Sequence, residues 1–417
     1  MRLLFIGLLG TALLFACGTE PPVSSVDDSA AEPLTAAGLT NLDLSTLLKV
    51  KAAIQAGDQQ YLPAYEALLR DADTALADRL YAVTDKTTVP ASGDKHDYLS
   101  LGPYWWPDTT KPDGLPWIRR DGEVNPMTRG NNVDEPSKDA AFDNINTLAL
   151  AAFFSDEEKY AARALAQLNT WFLNPETRMN PNLNFGQGIP GINTGRGIGI
   201  IETIALGSAV TGMELLELNK QLPDEAATEL NEWLTAFVDW LMTSEMGIAE
   251  REWHNNHGSW YDVQVVVLLR HLGREEEARK ILETAREKRI TAHLAADGSQ
   301  PHELERTKSL TYSIMNLRSL TRLAYHGQQL GVDLWNYRPA HGAGLTEAYA
   351  YLKPYAFTDK EWAYEQLGSM DNAKAKARHL FYETGAIMDI SEFCELVTGE
   401  DLNTTDRSLL LYHCPSS

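Results

Sequence analysis

Apolar residues recur along most of this 417-residue chain at the spacing of helices that bury one face. In the clearest case, Ala278, Ile281, Leu282 and Ala285 occupy positions i, i+3, i+4 and i+7 of one segment. The same pattern predicts further helices over residues 43–56, 60–83, 139–154, 157–172, 201–221, 225–243, 260–272 and 310–317. Alternating runs typical of strands are scarce, so the pattern predicts an all-α fold.

Short connections join these helices, as at residues 222–225 and 271–274, where Pro, Asp and Gly provide typical helix starts and stops. Helices joined by such turns form antiparallel hairpins. We therefore predict an (α/α)n toroid, that is, an incomplete α/α barrel. A helical solenoid is the alternative, but tandem repeats of a fixed period are not visible.

Two long stretches interrupt the helical pattern. Residues 88–134 contain a Tyr-Trp-Trp cluster at 104–106, and residues 174–199 are crowded with Asn, Gly and Pro. Loops of this length inside a compact domain are usually either functional or disordered. Their tryptophans and arginines argue against disorder, so we expect them to bind a ligand. A minor hydrophobic core beneath the loop is the other explanation for the tryptophans.

The N-terminus predicts export. A positive start and an apolar run ending at residue 16 form a secretory signal that is short for a membrane span. Residues 14–17 end in Cys17 and resemble a bacterial lipoprotein signal. We expect a signal peptide over 1–16, a lipidated, flexible linker over 17–38 and the α/α-toroid domain over 39–417. The protein would then face the periplasm or the outer membrane, held only by its lipid. A plain secreted protein with an unused cysteine is the alternative.

The formal charge of −22 argues against nucleic acid as a partner, because phosphate contacts need a basic face. A polyanionic ligand would likewise require a groove that is basic against this acidic background. Cys394 and Cys414 are the remaining cysteines, and they either pair in an oxidising compartment or stay as free thiols. Cysteine and histidine spacings typical of metal fingers are absent from the sequence.

Two segments carry residues suited to chemistry. Polar, aromatic and imidazole groups crowd residues 253–262, immediately before an apolar helix. These groups either cap the helix or face a ligand; His254 and His257 lack the glutamate of a zinc-binding HExxH pattern. Tyr312 follows Arg306 and is either a half-exposed residue or a groove-facing phenol. A neighbouring cation would lower the pKa of that phenol.

Four motifs together resemble the alginate lyase superfamily. They lie at residues 96–107, 119–126, 186–196 and 255–257, in matching order, and the resemblance spans roughly residues 90 to 320. The pattern is most similar to polysaccharide lyase family 38, a relative of family 5. The spacing from arginine to tyrosine is one residue shorter than in family 5, which favours family 38.

The resemblance implies an α/α toroid that cleaves a polyuronate by β-elimination, without a metal or other cofactor. The polymer would be alginate, with its mannuronate-rich form favoured, or alternatively a glucuronan. The implied catalytic residues are Asn256, His257, Arg306 and Tyr312. Asn256 and Arg306 would bind the uronate carboxylate, Tyr312 would protonate the leaving O4, and either His257 or Tyr312 would take the C5 proton.

Residues expected to bind the polymer are Tyr104, Trp105, Trp106, Arg119, Arg120, Gln187, Asn193, Arg196, His254, Asn255 and His302. The arginines could instead form internal salt bridges. Two other classes stay open: a glycan-binding surface lipoprotein without catalysis, and a hydrolase. A hydrolase needs a pair of carboxylates, and the spacing of the candidates, Asp262, Glu303 and Glu305, does not single out a pair.

Overall fold

The computed structural model describes residues 38–340, 342–397 and 403–414. The expected signal peptide, Cys17 and nearly all of the linker lie outside the described residues, so these expectations stay predictions. Every described residue belongs to one compact unit, which spans residues 34–417.

Helices account for most of the described chain. In chain order they are α1 Leu44–Gln55, α2 Leu62–Ala77, α3 Glu135–Ser155, α4 Glu158–Leu168, α5 Leu206–Leu218, α6 Asp224–Thr243, α7 Glu245–Arg251, α8 Asn256–His271, α9 Glu275–Ala285, α10 Pro301–Leu304, α11 Ser309–Gln329, α12 Leu345–Phe357, α13 Met370–Ile387, α14 Ser391–Leu396 and α15 Ser408–Leu411. The all-α prediction is confirmed.

An inner series of helices forms the wall of a central lumen. Helices α3, α5, α8, α11 and α13 each contact the next, while α4, α6, α9 and α12 pack against them from outside. The inner helix α8 buries fourteen of its sixteen residues because neighbours cover it on several sides. The outer helix α9 buries Ala278, Leu282 and Ala285 of the stripe that its sequence predicted, and the fourth residue of that stripe, Ile281, is half-buried. This layered arrangement confirms the α/α toroid.

Several helix boundaries differ from the sequence pattern. Helix α5 begins at Leu206 and not at 201, and α11 continues beyond 317 to Gln329. The helix expected over 60–83 ends at Ala77, because Asp78 is extended. The helix expected over 157–172 changes at Asn169 into a π-helical turn, Asn169–Leu173. Bounds for α12 and α13 were not predicted, since α12 carries Pro354 and α13 begins with polar residues.

The two long loops meet through short strands. Strand β1 (Leu99–Leu101) pairs in parallel with β4 (Phe185–Gly188), so one loop is joined to the other. Strand β2 (Trp105–Trp106) pairs with β3 (Ile118–Arg119) in an antiparallel hairpin. Directly opposed residues share a face of such a pair. Trp105 and Arg119 therefore lie on one face of the hairpin, and Trp106 and Ile118 on the other.

The C-terminal segment closes the toroid against its N-terminal helices. Helix α15 packs on α1 and α2, and a disulfide joins Cys394 of α14 to Cys414, with 5.7 Å between the Cα atoms. Of the two states that the sequence left open for these cysteines, the structure has the bonded one. Among the described residues, Gly197–Leu218 alone is long and apolar enough to cross a membrane, but 61% of its apolar window is buried, as in any core helix.

Candidate active site

A cleft of about 630 Å³ lies where the two long loops meet the N-terminal ends of α8 and α11. Twelve of the fifteen predicted catalytic and binding residues line it. They are Tyr104, Trp105, Arg119, Gln187, Arg196, His254, Asn255, Asn256, His257, His302, Arg306 and Tyr312. Residues up to 208 positions apart in the chain are thus brought into one site.

The other three predicted binding residues do not line the cleft. Trp106 lies on the opposite face of the β2–β3 hairpin and donates from Nε1 to the carbonyl of Glu123 at 3.1 Å. The guanidinium of Arg120 lies 5.1 Å from the centre of the Trp106 ring. Asn193 accepts from the backbone N–H of Ile189 at 3.2 Å and thereby closes a turn. A role for these side chains in binding more distant sugars stays a prediction.

Tyr312 lies in the first turn of α11 and points its hydroxyl into the cleft. Its Oη is 2.6 Å from Oη of Tyr104, and the Arg306 guanidinium lies 3.9 Å from the ring centre. Burial and the neighbouring Tyr104 raise the pKa of Tyr312 well above its usual range, although Arg306 opposes the rise. Arg306 thus acts on this pKa in the expected direction, but burial outweighs the cation. Tyr312 is therefore a neutral phenol in the free protein.

Arg306 is fixed by Asp121, which the first long loop supplies. Nη2 and Nε of Arg306 donate to the Asp121 carboxylate at 3.0 and 3.2 Å. Asp121 also accepts from Arg119 at 2.7 Å and from the backbone of Thr307. Burial alone would raise the pKa of Asp121, but Arg306 outweighs it and holds this pKa well below its usual range. The alternative of internal salt bridges thus holds in part for the arginines, while both guanidinium groups still line the cleft.

The start of α8 holds two of the implied catalytic residues. Asn255 caps the helix by accepting from the backbone N–H of His257 at 3.1 Å, so the capping explanation of this segment is also correct. Nδ1 of His257 lies 2.7 Å from Oε1 of the buried Glu250. Because a carboxylate accepts a hydrogen bond from a ring N–H, this contact places the imidazole proton on Nδ1 and leaves Nε2 with its lone pair.

Asn256 is held by Glu303, which is 1% exposed. The carboxylate accepts from the Asn256 backbone N–H at 2.7 Å and from Nδ2 at 3.0 and 2.9 Å. Two oxygens of one carboxylate subtend a narrower angle at nitrogen than two N–H bonds do, so one N–H serves both oxygens. The second N–H of Asn256 therefore has no bond to Glu303. Burial raises the pKa of Glu303 to about 7, although the bonds from Asn256 oppose this.

Gln187 and Arg196 form a second fixed pair on the second long loop. Arg196 donates to the carbonyl and to Oε1 of Gln187, both at 3.0 Å, and its guanidinium lies 5.9 Å from the Trp105 ring centre. Gln187 has a φ of 46°, a left-handed conformation that is costly for a residue with a side chain. Its N–H donates to Ser100 Oγ at 2.7 Å, and Ser100 donates to Glu202 at 2.6 Å. Burial lowers the pKa of Arg196.

His254 and His302 meet edge to face at one side of the cleft, with ring centres 4.7 Å apart. Burial, and then the charge of His302, lower the pKa of His254. Among residues 38–340, 342–397 and 403–414, a group of three or more His, Cys, Asp or Glu side chains placed to hold a metal ion is not present.

Sequence reasoning missed the carboxylates that position these groups. Asp121, Glu202, Glu250 and Glu303 contact their partners across separations of up to 185 residues. Acidic residues are abundant in this chain. Asp121 lies in the motif at 119–126 and Glu303 was a candidate acid for a hydrolase, but the sequence did not indicate that they hold Arg306 and Asn256. Gln187 has a left-handed backbone conformation. The glycines on either side of it are the local sequence signal for this unusual backbone.

A helical toroid with a loop-built cleft, in which tyrosine, histidine, asparagine and arginine surround an aromatic platform, has the architecture of a polysaccharide-cleaving enzyme. The chain belongs to the alginate lyase family, since the model of that family matches residues 82–362. The predictions of the superfamily and of a polysaccharide lyase are confirmed. Membership of polysaccharide lyase family 38 stays a prediction.

Solved structures agree with this assignment. An alginate lyase from Bacteroides ovatus is 36% identical over 90% of this chain and 99% of its own, with a TM-score of 0.85. Alginate lyase A1-III from Sphingomonas species A1 is 15% identical over 92% of this chain and 100% of its own, with a TM-score of 0.55. A tetrasaccharide-bound variant of A1-III is also 15% identical, over 92% of this chain and 99% of its own, with a TM-score of 0.56. Both A1-III structures show the shared fold alone. A search of the curated proteins found no match.

Proposed function

We propose that this protein depolymerises alginate, with a preference for mannuronate-rich segments, by a metal-independent β-elimination that leaves unsaturated uronate ends. The observation that carries the proposal is the arrangement of Tyr312, Arg306, Asn256 and His257 around one cleft, each held by a partner. The name of the Bacteroides ovatus relative supports alginate as the substrate class.

Elimination begins with the C5 proton of a uronate, which is only weakly acidic while the adjacent carboxylate is charged. Arg306 and the second N–H of Asn256 neutralise this carboxylate, so the charge that develops at C5 spreads onto its oxygens. Donors that are oriented before the reaction are worth several kcal/mol in the transition state. Asp121 and Glu303 provide that orientation.

The two proton transfers depend on the sugar. In mannuronate the C5 hydrogen and O4 lie on the same face, so Tyr312 takes the proton from C5 and returns it to O4. Because burial keeps Tyr312 protonated in the free protein, the phenolic proton must first pass to solvent as substrate binds, and Arg306 over the ring stabilises the resulting phenolate. In guluronate the two groups lie on opposite faces. His257 Nε2 is then the base and Tyr312 the acid.

The test follows the ultraviolet absorbance of the new C4–C5 double bond on polymannuronate, polyguluronate and glucuronan. We expect the fastest rise on polymannuronate, its loss in Tyr312→Phe, and no loss in Tyr364→Phe, a matched change at an exposed tyrosine. His257→Asn should slow polyguluronate cleavage more than polymannuronate cleavage. New reducing ends without absorbance would indicate a hydrolase, and binding without either signal would indicate a non-catalytic glycan-binding lipoprotein. A preference for glucuronan would replace alginate as the substrate, because glucuronate shares the C4 and C5 configuration of mannuronate.

We also propose that the protein is exported and anchored by a lipid on Cys17. The support is the sequence of residues 1–17 alone. In the native host, metabolic labelling with a fatty acid should mark the wild type but not Cys17→Ala. Equal labelling of both proteins would contradict the anchor.

A further inference from the structure

The helices that present the catalytic residues continue past the cleft and line a second cavity of about 370 Å³. Helix α8 begins with Asn256 at the cleft and then turns Trp260, Val263 and Gln264 toward the second cavity. The indole N–H of Trp260 donates to the carbonyl of Met315, which lines the cleft, at 3.2 Å. Trp260 and Met315 thus separate two cavities of one lumen.

Two arginines on α11 share one carboxylate in this second cavity. Nε of Arg318 lies 3.3 Å from Glu383, and Arg322 is bonded to the same carboxylate. Within the part of the chain that the structure describes, Nε of Arg318 is buried and has this ion pair but no hydrogen bond of good geometry. The other carboxylate of the wall, Asp406, faces His379 at 3.7 Å. Arg318 and Arg322 together carry two positive charges, whereas Glu383, which they share, carries one negative charge.

We propose that this cavity binds one carboxylate-bearing sugar, a uronate monosaccharide, with its carboxylate on Arg318. A guanidinium offers a planar fork of donors that matches a carboxylate. The adjacent indole of Trp260 provides an apolar face for a sugar ring, and Asn41 and Thr211 provide polar groups for hydroxyls.

Size restricts the ligand to a single sugar. Ligand pockets usually measure about 300–1,000 Å³, and this cavity lies near the lower limit. The catalytic cleft is larger, at about 630 Å³. The second cavity is therefore suited to the shortest product of a polyuronate lyase and not to the polymer. The inference that the ligand is a uronate rests on the proposed function, whereas the inference that it carries a carboxylate rests on the two arginines.

The experiment titrates the protein with glucuronate, and separately with glucose, which has the same ring but no carboxylate, by saturation-transfer NMR. Arg318→Gln should weaken the binding of glucuronate to this cavity about tenfold or more. Arg70→Gln is the matched control, because Arg70 is exposed, carries the same charge and lines neither cavity. Cleavage of polymannuronate by Arg318→Gln should stay at the wild-type rate.

A second variant fills the cavity without removing a charge. A Cβ added at Gly207 meets its nearest neighbours, Asn41 and Val267, at an ordinary 3.7 Å. The structure thus has room for a Cβ at this position of α5. The longer side chain of Gly207→Leu should exclude glucuronate from the cavity, whereas the single added carbon of Gly207→Ala should not.

Glucuronate binding that is equal in wild type, Arg318→Gln and Gly207→Leu would overturn the proposal. If Arg318→Gln weakened the binding of glucose and of glucuronate equally, the ligand would not be recognised by its carboxylate. If acetate competed as strongly as glucuronate, the cavity would not recognise a sugar. These measurements do not depend on catalysis. A protein that fails to cleave alginate would refute the proposed function and leave this test intact.

Discussion

Glu303→Gln separates the role of a buried carboxylate in stability from its role in the active site. Glu303 is 1% exposed and accepts three contacts from Asn256, so the substitution keeps the shape and removes the charge. A glutamine also replaces one acceptor by an NH₂ group. That group would face Nδ2 of Asn256 at about the same distance, a contact between two donors.

The effect on stability follows from the pKa of Glu303, which burial raises from 4.5 to about 7. A carboxyl whose pKa is higher in the folded state stabilises the protein fully below pH 4.5, and this contribution is lost as the pH rises through 7. The loss amounts to about 3 kcal/mol in the free energy of unfolding. A glutamine side chain cannot ionise, so the variant should lack this part of the pH dependence. Asp134 and Glu135, whose pKa values burial also raises to about 7, contribute with the same sign in both proteins.

The effect on activity follows from the amide of Asn256. To avoid the contact between donors, the Asn256 amide turns and offers Oδ1 to the NH₂ group of the new glutamine, which removes its own N–H groups from the uronate carboxylate. Loss of one oriented donor of this kind typically costs about 10²-fold or more in turnover. We therefore expect kcat/KM on alginate to fall about 10²-fold, at a pH where both proteins are fully folded.

The assay pairs urea unfolding at about pH 5 and about pH 8, on either side of the raised pKa, with initial rates of elimination. Glu305→Gln is the control, because Glu305 lines the same cleft two residues away and is exposed. The reasoning about the amide would be refuted if Glu303→Gln and Glu305→Gln had the same kcat/KM. The reasoning about burial would be refuted if the wild type and Glu303→Gln lost the same stability between the two pH values.

Three further predictions concern the groups around the cleft and the closure of the toroid. Gly258→Ala should lower the free energy of unfolding by about 2–3 kcal/mol in urea titration, because its Cβ would lie 2.2 Å from the carbonyl oxygen of Trp253; unchanged stability would contradict this close approach at the start of α8. Asp121→Asn should lower kcat about tenfold or more, since Arg306 loses its charged partner, and an effect on KM alone in steady-state kinetics would count against a role in orienting Arg306. Cys414→Ser should reduce stability by about 3 kcal/mol in calorimetry while kcat/KM stays constant, and a loss of activity in the folded variant would show that the disulfide shapes the cleft.

The outer helices α4, α6 and α9 were predictable because each has one solvent face, whereas the outer helix α12 was not predicted. Helix α9 shows this plainly, with a buried stripe at Ala278, Leu282 and Ala285. The inner helix α8 buries nearly every residue, so its apolar positions do not distinguish one face from another. The apolar run of α8 predicts that a helix exists. It does not predict which face of that helix points to the lumen, and this face is what places Asn256 and Trp260.

The candidate catalytic groups were predictable only through the family resemblance. Spacing alone could not decide whether Tyr312 faces a groove. The partners of these groups were not predictable at all, because Glu303 is 47 residues from Asn256 and Asp121 is 185 residues from Arg306. Contacts of this kind depend on the toroid and on the loop hairpins, and they leave no local pattern.

The acidic composition and a polyanionic substrate are compatible because of how charges are arranged in the cleft. Five cationic side chains line it against four carboxylates, while the whole chain carries −22. The carboxylate that holds Arg306, Asp121, is shared between Arg306 and Arg119 and takes only some of their donors. A guanidinium has five N–H groups, so a uronate carboxylate can add to Arg306 without displacing Asp121. Sharing one carboxylate between two arginines thus leaves guanidinium donors in the cleft for an acidic sugar, although the chain as a whole is acidic.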